Sequence, residues 1–260
     1  MKIILKLDNN FWTEPMKHSD ELLAVCARHT RAKDDDVVIP EAYLPYVPPN
    51  WNRLLVLAEA QNLSELNGVY VRSLGALKAP DRMTRLRDGS DVGVAPWDDG
   101  SLKLAIESAC EADSTETAVS NAVPWSRREG DGANTNPSQE MIEWAVTFWK
   151  DLLPLLRPSH IITAGKVAET VITLADPSSE YCRTSVRLPS PQAMSRVSGM
   201  FQIEDLLARY PEVRRVVDKH PEWSLRNKVF FACHVVSTIC PTLIRPSVIK
   251  GNKSPQPKIL

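Results

Sequence analysis

Four short apolar runs set the terms on which this chain can fold. They are Arg53 to Leu57, Ala118 to Ala122, His160 to Ala164 and, more weakly, Tyr181 to Leu188, where Arg183 and Arg187 interrupt smaller residues. Each has strand length, and the first three stay apolar rather than alternating. That pattern fits strands buried on both faces. Helical patterns separate them. Ser101 to Glu111 follows the turn Asp98-Asp99-Gly100 and repeats Leu102, Ala105, Ile106 and Ala109 at helical spacing. Ser138 to Leu153 starts at Pro137-Ser138 and aligns Met141, Ala145, Phe148 and Leu152, with Ile142 and Trp149 beside them. Lys166 to Leu174 begins a helix directly after the third run. Strands alternating with helices predict a parallel sheet with right-handed crossovers. The expected fold class is α/β: three layers, α/β/α, around a central four-stranded parallel sheet.

The 260 residues suffice for one large or two small domains. They are read as a single domain over 1–240 and a proline-containing tail over 241–260. The tail carries Arg245, Lys250, Lys253 and Lys258 and no acid. Pro40 to Trp51, with Pro40, Pro45, Pro48 and Pro49, is expected to be extended. Gly75 to Gly93 and Arg127 to Pro137 read as polar loops.

The formal net charge of −1 excludes a global cationic field, so any nucleic-acid binding rests on a local patch or shaped loops. No apolar run approaches the roughly 20 residues that span a bilayer. Met1 to Asp8 is too short and too charged for a signal peptide. A cytoplasmic protein without membrane association is expected. Five dispersed cysteines, Cys26, Cys110, Cys182, Cys233 and Cys240, lack C-x-x-C spacing. They predict reduced, mostly buried thiols rather than a disulfide or metal framework. With 10 glycines and neither a Walker loop nor G-x-G-x-x-G, a glycine-rich phosphate cradle is not expected.

In a parallel α/β sheet the ligand collects at the carboxyl ends of the strands. The four runs end in Ala58-Glu59-Ala60-Gln61-Asn62, Ser120-Asn121-Ala122-Val123-Pro124-Trp125, Thr163-Ala164-Gly165-Lys166 and Leu188-Pro189-Ser190-Pro191-Gln192. A carboxylate, an amide, a small-residue turn and a stiff Pro-Ser-Pro loop would therefore converge on one crevice. Between the first two lies Gly93-Val-Ala-Pro-Trp-Asp-Asp-Gly-Ser-Leu102, a turn carrying an aromatic.

From about Leu54 to about Phe201 this ordered set resembles the uracil-DNA glycosylase superfamily. Ala58-Glu59-Ala60-Gln61 is similar to the family's first motif, nearest to the branch that carries Gly-Glu-Ala-Pro-Gly. Asn121 stands where the family places a base-reading asparagine. Ser101-Leu102 is similar to its Pro-Ser-Leu phosphate segment, and Leu188-Pro-Ser-Pro-Gln192 to its His-Pro-Ser-Pro-Leu motif. Ser195, Arg196, Gly199 and Phe201 are similar to the family's residues just past that last motif.

The resemblance implies a DNA glycosylase that flips a base out of the duplex and hydrolyses its N-glycosidic bond. It implies Glu59 as the catalytic carboxylate, stabilising an oxocarbenium-like sugar and positioning water. Asn121, Gln61, Asn62 and Trp97 would bind the base. Ser64, Ser101, Ser190, Ser195 and Arg196 would hold phosphates, and Gln192 or Met194 would fill the gap left by the flipped base. DNA is the partner, a monomer is expected, and neither a cofactor nor a metal is implied.

The chain departs from the family at informative places. Leu188 replaces the histidine that stabilises the departing pyrimidine. Ala60 replaces an aspartate, and Asn62 the aromatic that guards the pyrimidine 5-position. Without that guard the pocket would open beside C5. This points past uracil to a larger pyrimidine, such as the hydroxymethylated or glycosylated cytosine of phage DNA, and hence to antiviral defence alongside base-excision repair. A non-catalytic DNA- or damaged-base-binding protein of the same fold is the alternative, with tryptophans such as Trp97 and Trp125 stacking on bases. A small-molecule nucleoside enzyme is disfavoured by the phosphate-type loops.

Overall fold

The computed structural model describes residues 17–31, 37–39, 42, 45–48, 50–60, 94–127, 137–188 and 201–239. At its centre four parallel strands run in the order β3-β2-β5-β6. They are β2 (Leu54–Ala60), β3 (Ala118–Val123), β5 (His160–Ala164) and β6 (Cys182–Val186). These are the four expected runs. β2 extends further than expected, so Glu59 lies inside the strand instead of beyond it. A separate antiparallel pair joins β1 (Val37–Ile39) to β4 (Ser126–Arg127). Tyr46 forms a two-way backbone bridge to Val119, at 2.9 and 3.0 Å, which shields the β3 edge.

The pleat sends successive side chains to opposite faces, and each face has its own core. Leu55, Leu57 and Ile161 point to one face, covered by α1 (Lys17–Arg28), α4 (Gln139–Leu156) and α5 (Lys166–Ala175). Leu54, Val56, Ala58, Ile162 and Ala164 point to the other. That face is covered by α2 (Ala95–Asp98), α3 (Ser101–Cys110), α6 (Ile203–Arg209), α7 (Pro211–Lys219) and α8 (Arg226–Ile239). Full burial of each central leucine contributes about 1.5–3 kcal/mol. This two-sided burial explains why β2, β3 and β5 read as largely apolar runs, while β6, mostly half-buried or exposed, read more weakly.

Local chemistry fixes the helix ends. The Ser138 side chain accepts the Met141 N–H at 3.2 Å and starts α4, which ends where Arg157 turns left-handed at φ 49°. Met141, Ala145, Phe148 and Leu152 are buried as their spacing predicts, and Trp149 donates its indole N–H to the Ala122 carbonyl at 2.7 Å. Cys26 and Cys233 are buried, Cys110 is half-buried and Cys182 is exposed. Burial pushes both the Cys26 and Cys233 thiols up to about 12. Among the described residues no helix is long and apolar enough to cross a membrane.

Candidate functional site at the carboxyl edge of the sheet

The strand order determines where a crevice opens. β2 and β3 are neighbours joined through α3 on one face. β5 and β6 are neighbours joined through α5 on the other. The two crossovers travel in opposite directions along the sheet, so the shared right-handed rule sends them to opposite faces. The adjacent strands β2 and β5 thus send their exits apart, which makes their carboxyl ends the switch point where α/β sheets bind ligands.

Glu59 stands at this point. Its Oε1 accepts the backbone N–H of Val167 at 3.1 Å, in the first turn of α5. Such an N–H has no partner within its own helix, and the helix dipole favours a negative group there. The turn from β5 into α5 is a single residue, Gly165, at φ 101°. Its N–H donates to the Val186 carbonyl at 2.9 Å, tying β6 to the same corner. A Cβ on Gly165 would lie 2.5 Å from both Cγ and Cδ of Glu59. Only a glycine lets the carboxylate approach this closely. Lys166, next to it, turns outward to Glu169 at 2.9 Å. Gly165 and Val167 are the site residues that residue-type reasoning leaves unassigned. Their signal was the small-residue turn at the end of the third run.

The remaining expected site residues divide by position. Asn121 is buried at 3% exposure and pairs in register with Ala58, so the pleat places it on the α3 face. Glu59, one residue beyond Ala58, faces α5. The sheet brings the two to the same edge but to opposite faces. Trp97 is buried in the α3-face core with Val94 and Leu102. The Lys103 ammonium lies 5.8 Å from its ring centroid.

Ser101 opens α3 as expected, and its N–H donates to Asp99 Oδ1 at 2.7 Å. It is buried, and the helix start beside it is covered. A Cβ on Gly100 would lie 2.5 Å from Cδ1 and Nε1 of Trp223. The Lys228 ammonium closes over the Asp99 carbonyl. Leu188 is half-buried and packs against the α3-face core. Gln61, Asn62, Ser64, Ser190, Gln192, Met194, Ser195 and Arg196 lie outside the described residues, as do 75–93, 128–136 and the tail.

Burial first, and the nearby Arg187 second, hold the His234 imidazole below its usual range. Among the described residues, no group of three His, Cys, Asp or Glu side chains could hold a metal ion. No protein-family model matches the chain, and no curated protein matches it.

Proposed function

We propose that this protein is a DNA glycosylase that excises a uracil or, on the reading we favour, a larger modified pyrimidine. The observation that carries the reading is Glu59, held by the Val167 N–H against Gly165 at the switch point of a parallel sheet. A second support is that the four motif-bearing strand ends belong to four neighbouring parallel strands.

In this reaction the N-glycosidic bond breaks and the base leaves with the bonding electrons. The sugar becomes oxocarbenium-like. A fixed carboxylate stabilises that charge and orients the water that adds to C1′, leaving an abasic site and a free base. A carboxylate on a strand and tied to a helix is held more tightly than one on a loop, and it needs little reorganisation when charge develops. Leu188 offers no hydrogen bond to the departing base, so Glu59 bears most of the catalysis. The protein would act as a monomer on DNA in the cytoplasm, in repair or in defence against phage.

The test is to incubate the chain with duplexes carrying uracil and with hydroxymethylated or glucosylated phage DNA, and to score abasic sites. Modified DNA is expected to be cleaved to abasic sites. Glu59→Gln keeps an acceptor for Val167 while removing the charge, and is expected to slow release about 10²–10³-fold. Robust release of uracil with none from modified DNA would overturn the larger-pyrimidine reading. A second reading, a DNA-binding protein without chemistry, draws on Leu188 and Ala60, which stand where the family has its histidine and aspartate. It gains if the wild type binds DNA and makes no abasic site on any of them.

A further inference from the structure

Resting on the glycosylase reading, we propose that Gly165 and the Val167 N–H are the positioning elements of the reaction, setting where the Glu59 carboxylate stands. Three geometric facts lead there. The Glu59 side chain reaches across from β2 to a helix that begins on the neighbouring strand, and one carboxylate oxygen is engaged by the Val167 N–H. Cγ and Cδ of the same side chain lie against the Gly165 Cα, where any Cβ would intrude to 2.5 Å. Gly165 is itself fixed by its N–H to the Val186 carbonyl at 2.9 Å. The carboxylate is therefore registered to three strands of the sheet at once: its own, the strand before α5, and the edge strand.

A helix start commonly takes its cap from the residue just before it. Gly165 has no side chain to serve, and Glu59 supplies the group from a strand more than 100 residues earlier, a separation of 108. A side chain at 165 would be strained at φ 101° and would displace Glu59, so no local residue there can take over the cap. The glycine instead couples helix capping to carboxylate placement. Neither Gly165 nor Val167 touches substrate in this scheme, and both act through Glu59.

Gly165→Ala tests this directly, because the added Cβ must push the carboxylate aside. The expected result is a folded protein with release of pyrimidine from modified duplex DNA slowed about 100-fold, the scale of a 1 Å misplacement. KM is expected to stay within about twofold, since ground-state binding is untouched. In a Glu59→Gln background, Gly165→Ala is expected to add no further loss in single-turnover reactions, because residues acting as one unit are not additive.

Gly165→Ala released at the wild-type rate would overturn the proposal, as would an equal loss with Glu59 already replaced. If Gly165→Ala does not fold, Glu59→Asp carries the test. It keeps Gly165 and draws the carboxylate back by about 1.5 Å, one carbon–carbon bond, away from the Val167 N–H, and an undiminished rate would overturn the proposal. A wild type that releases no base from any DNA removes the glycosylase reading and the proposal with it. That result is distinct from an active wild type indifferent to residue 165.

Discussion

The two edges of the central sheet are built on different principles. At the amino edge side chains lock the backbone. Asn52 Oδ1 accepts the Leu54 N–H at 2.9 Å, and its Nδ2 donates to Thr117 Oγ1 at 3.1 Å. Trp51 donates its indole N–H to the Leu54 carbonyl at 2.8 Å. The Arg53 carbonyl accepts from both the N–H and hydroxyl of Ser159, and the Arg53 guanidinium reaches the Arg157 carbonyl. His160 pairs with Thr184 at 2.8 Å, joining β5 to β6. At the carboxyl edge Glu59 spans from β2 to α5 and is only half-buried. One edge holds strands in register. The other keeps a carboxylate near water, where the proposed base release would use it. A substitution at the amino edge should therefore cost stability and spare turnover, and one at the carboxyl edge should do the reverse.

The largest expected effect that tests this division is at Asn52. Asn52→Ala removes both side-chain bonds and leaves the buried Leu54 N–H without its side-chain acceptor, while the Thr117 hydroxyl still donates to the Asp113 carbonyl at 3.0 Å. A buried group left unmet costs about 1–3 kcal/mol, so a loss of about that size is expected. Urea denaturation measures it. Base release per folded molecule should be unchanged. A folded Asn52→Ala protein with slowed release would break the division between the edges.

The same division explains what was legible in the sequence. The three inner runs were readable because burial on both faces keeps Leu54 to Leu57 apolar and surrounds Ile161, Ile162 and Ala164 with apolar packing, while the largely uncovered β6 gave the weaker signal. The helix over α4 was readable because a serine cap and a four-residue stripe agree. The three helices α6 to α8 went unread. In α8, Val229 to Cys233 and Val235 and Val236 are buried around a broad arc, so no clean amphipathic stripe marks it. The site was legible in part. Residue types at strand ends led to Glu59, but type alone cannot say on which face of the sheet a side chain falls. One residue of register separates Glu59 from the face that holds Asn121. Nor can type reveal that a carboxylate caps a helix 108 positions away, since only the fold brings them together.

A smaller effect arises at His160. Burial holds its imidazole below the usual range, and its Nδ1 is buried without a hydrogen-bond partner. A proton is then bound more readily by the unfolded chain than by the folded one. Stability rises with pH wherever the unfolded state binds more protons. The full stability is thus present above the unfolded value of about 6.5, and it is lost as pH falls from there through the lowered folded value. Urea midpoints should drop between neutral and mildly acidic pH. His160→Gln retains a partner for Thr184 and removes the titration, so its midpoint should drop less. His234 is lowered in the same direction, by burial and by Arg187, and a residual slope in His160→Gln that disappears in a His234→Gln double variant would assign the remainder.

The smallest expected effect sharpens the comparison by showing that the amino edge is locked from within rather than walled off. Cys182 begins β6, pairs in register with the buried His160, and is exposed. Cys26 and Cys233 sit in the two cores with thiols pushed up to about 12 by burial, which leaves little thiolate to react. Iodoacetamide at neutral pH should therefore modify Cys182 in the native protein and reach Cys26 and Cys233 only after denaturation, as peptide mass mapping would read. The adduct hangs outside the hydrogen bonds of Asn52, Ser159 and His160, so it should shift the melting temperature only slightly and leave base release unchanged. If labelling Cys182 instead unfolds the protein, its side chain helps hold β6 in place, and the amino-edge lock extends to the outermost strand. If labelling slows base release with the fold intact, the two edges communicate through β6, whose far end is tied to Gly165 by the Val186 carbonyl.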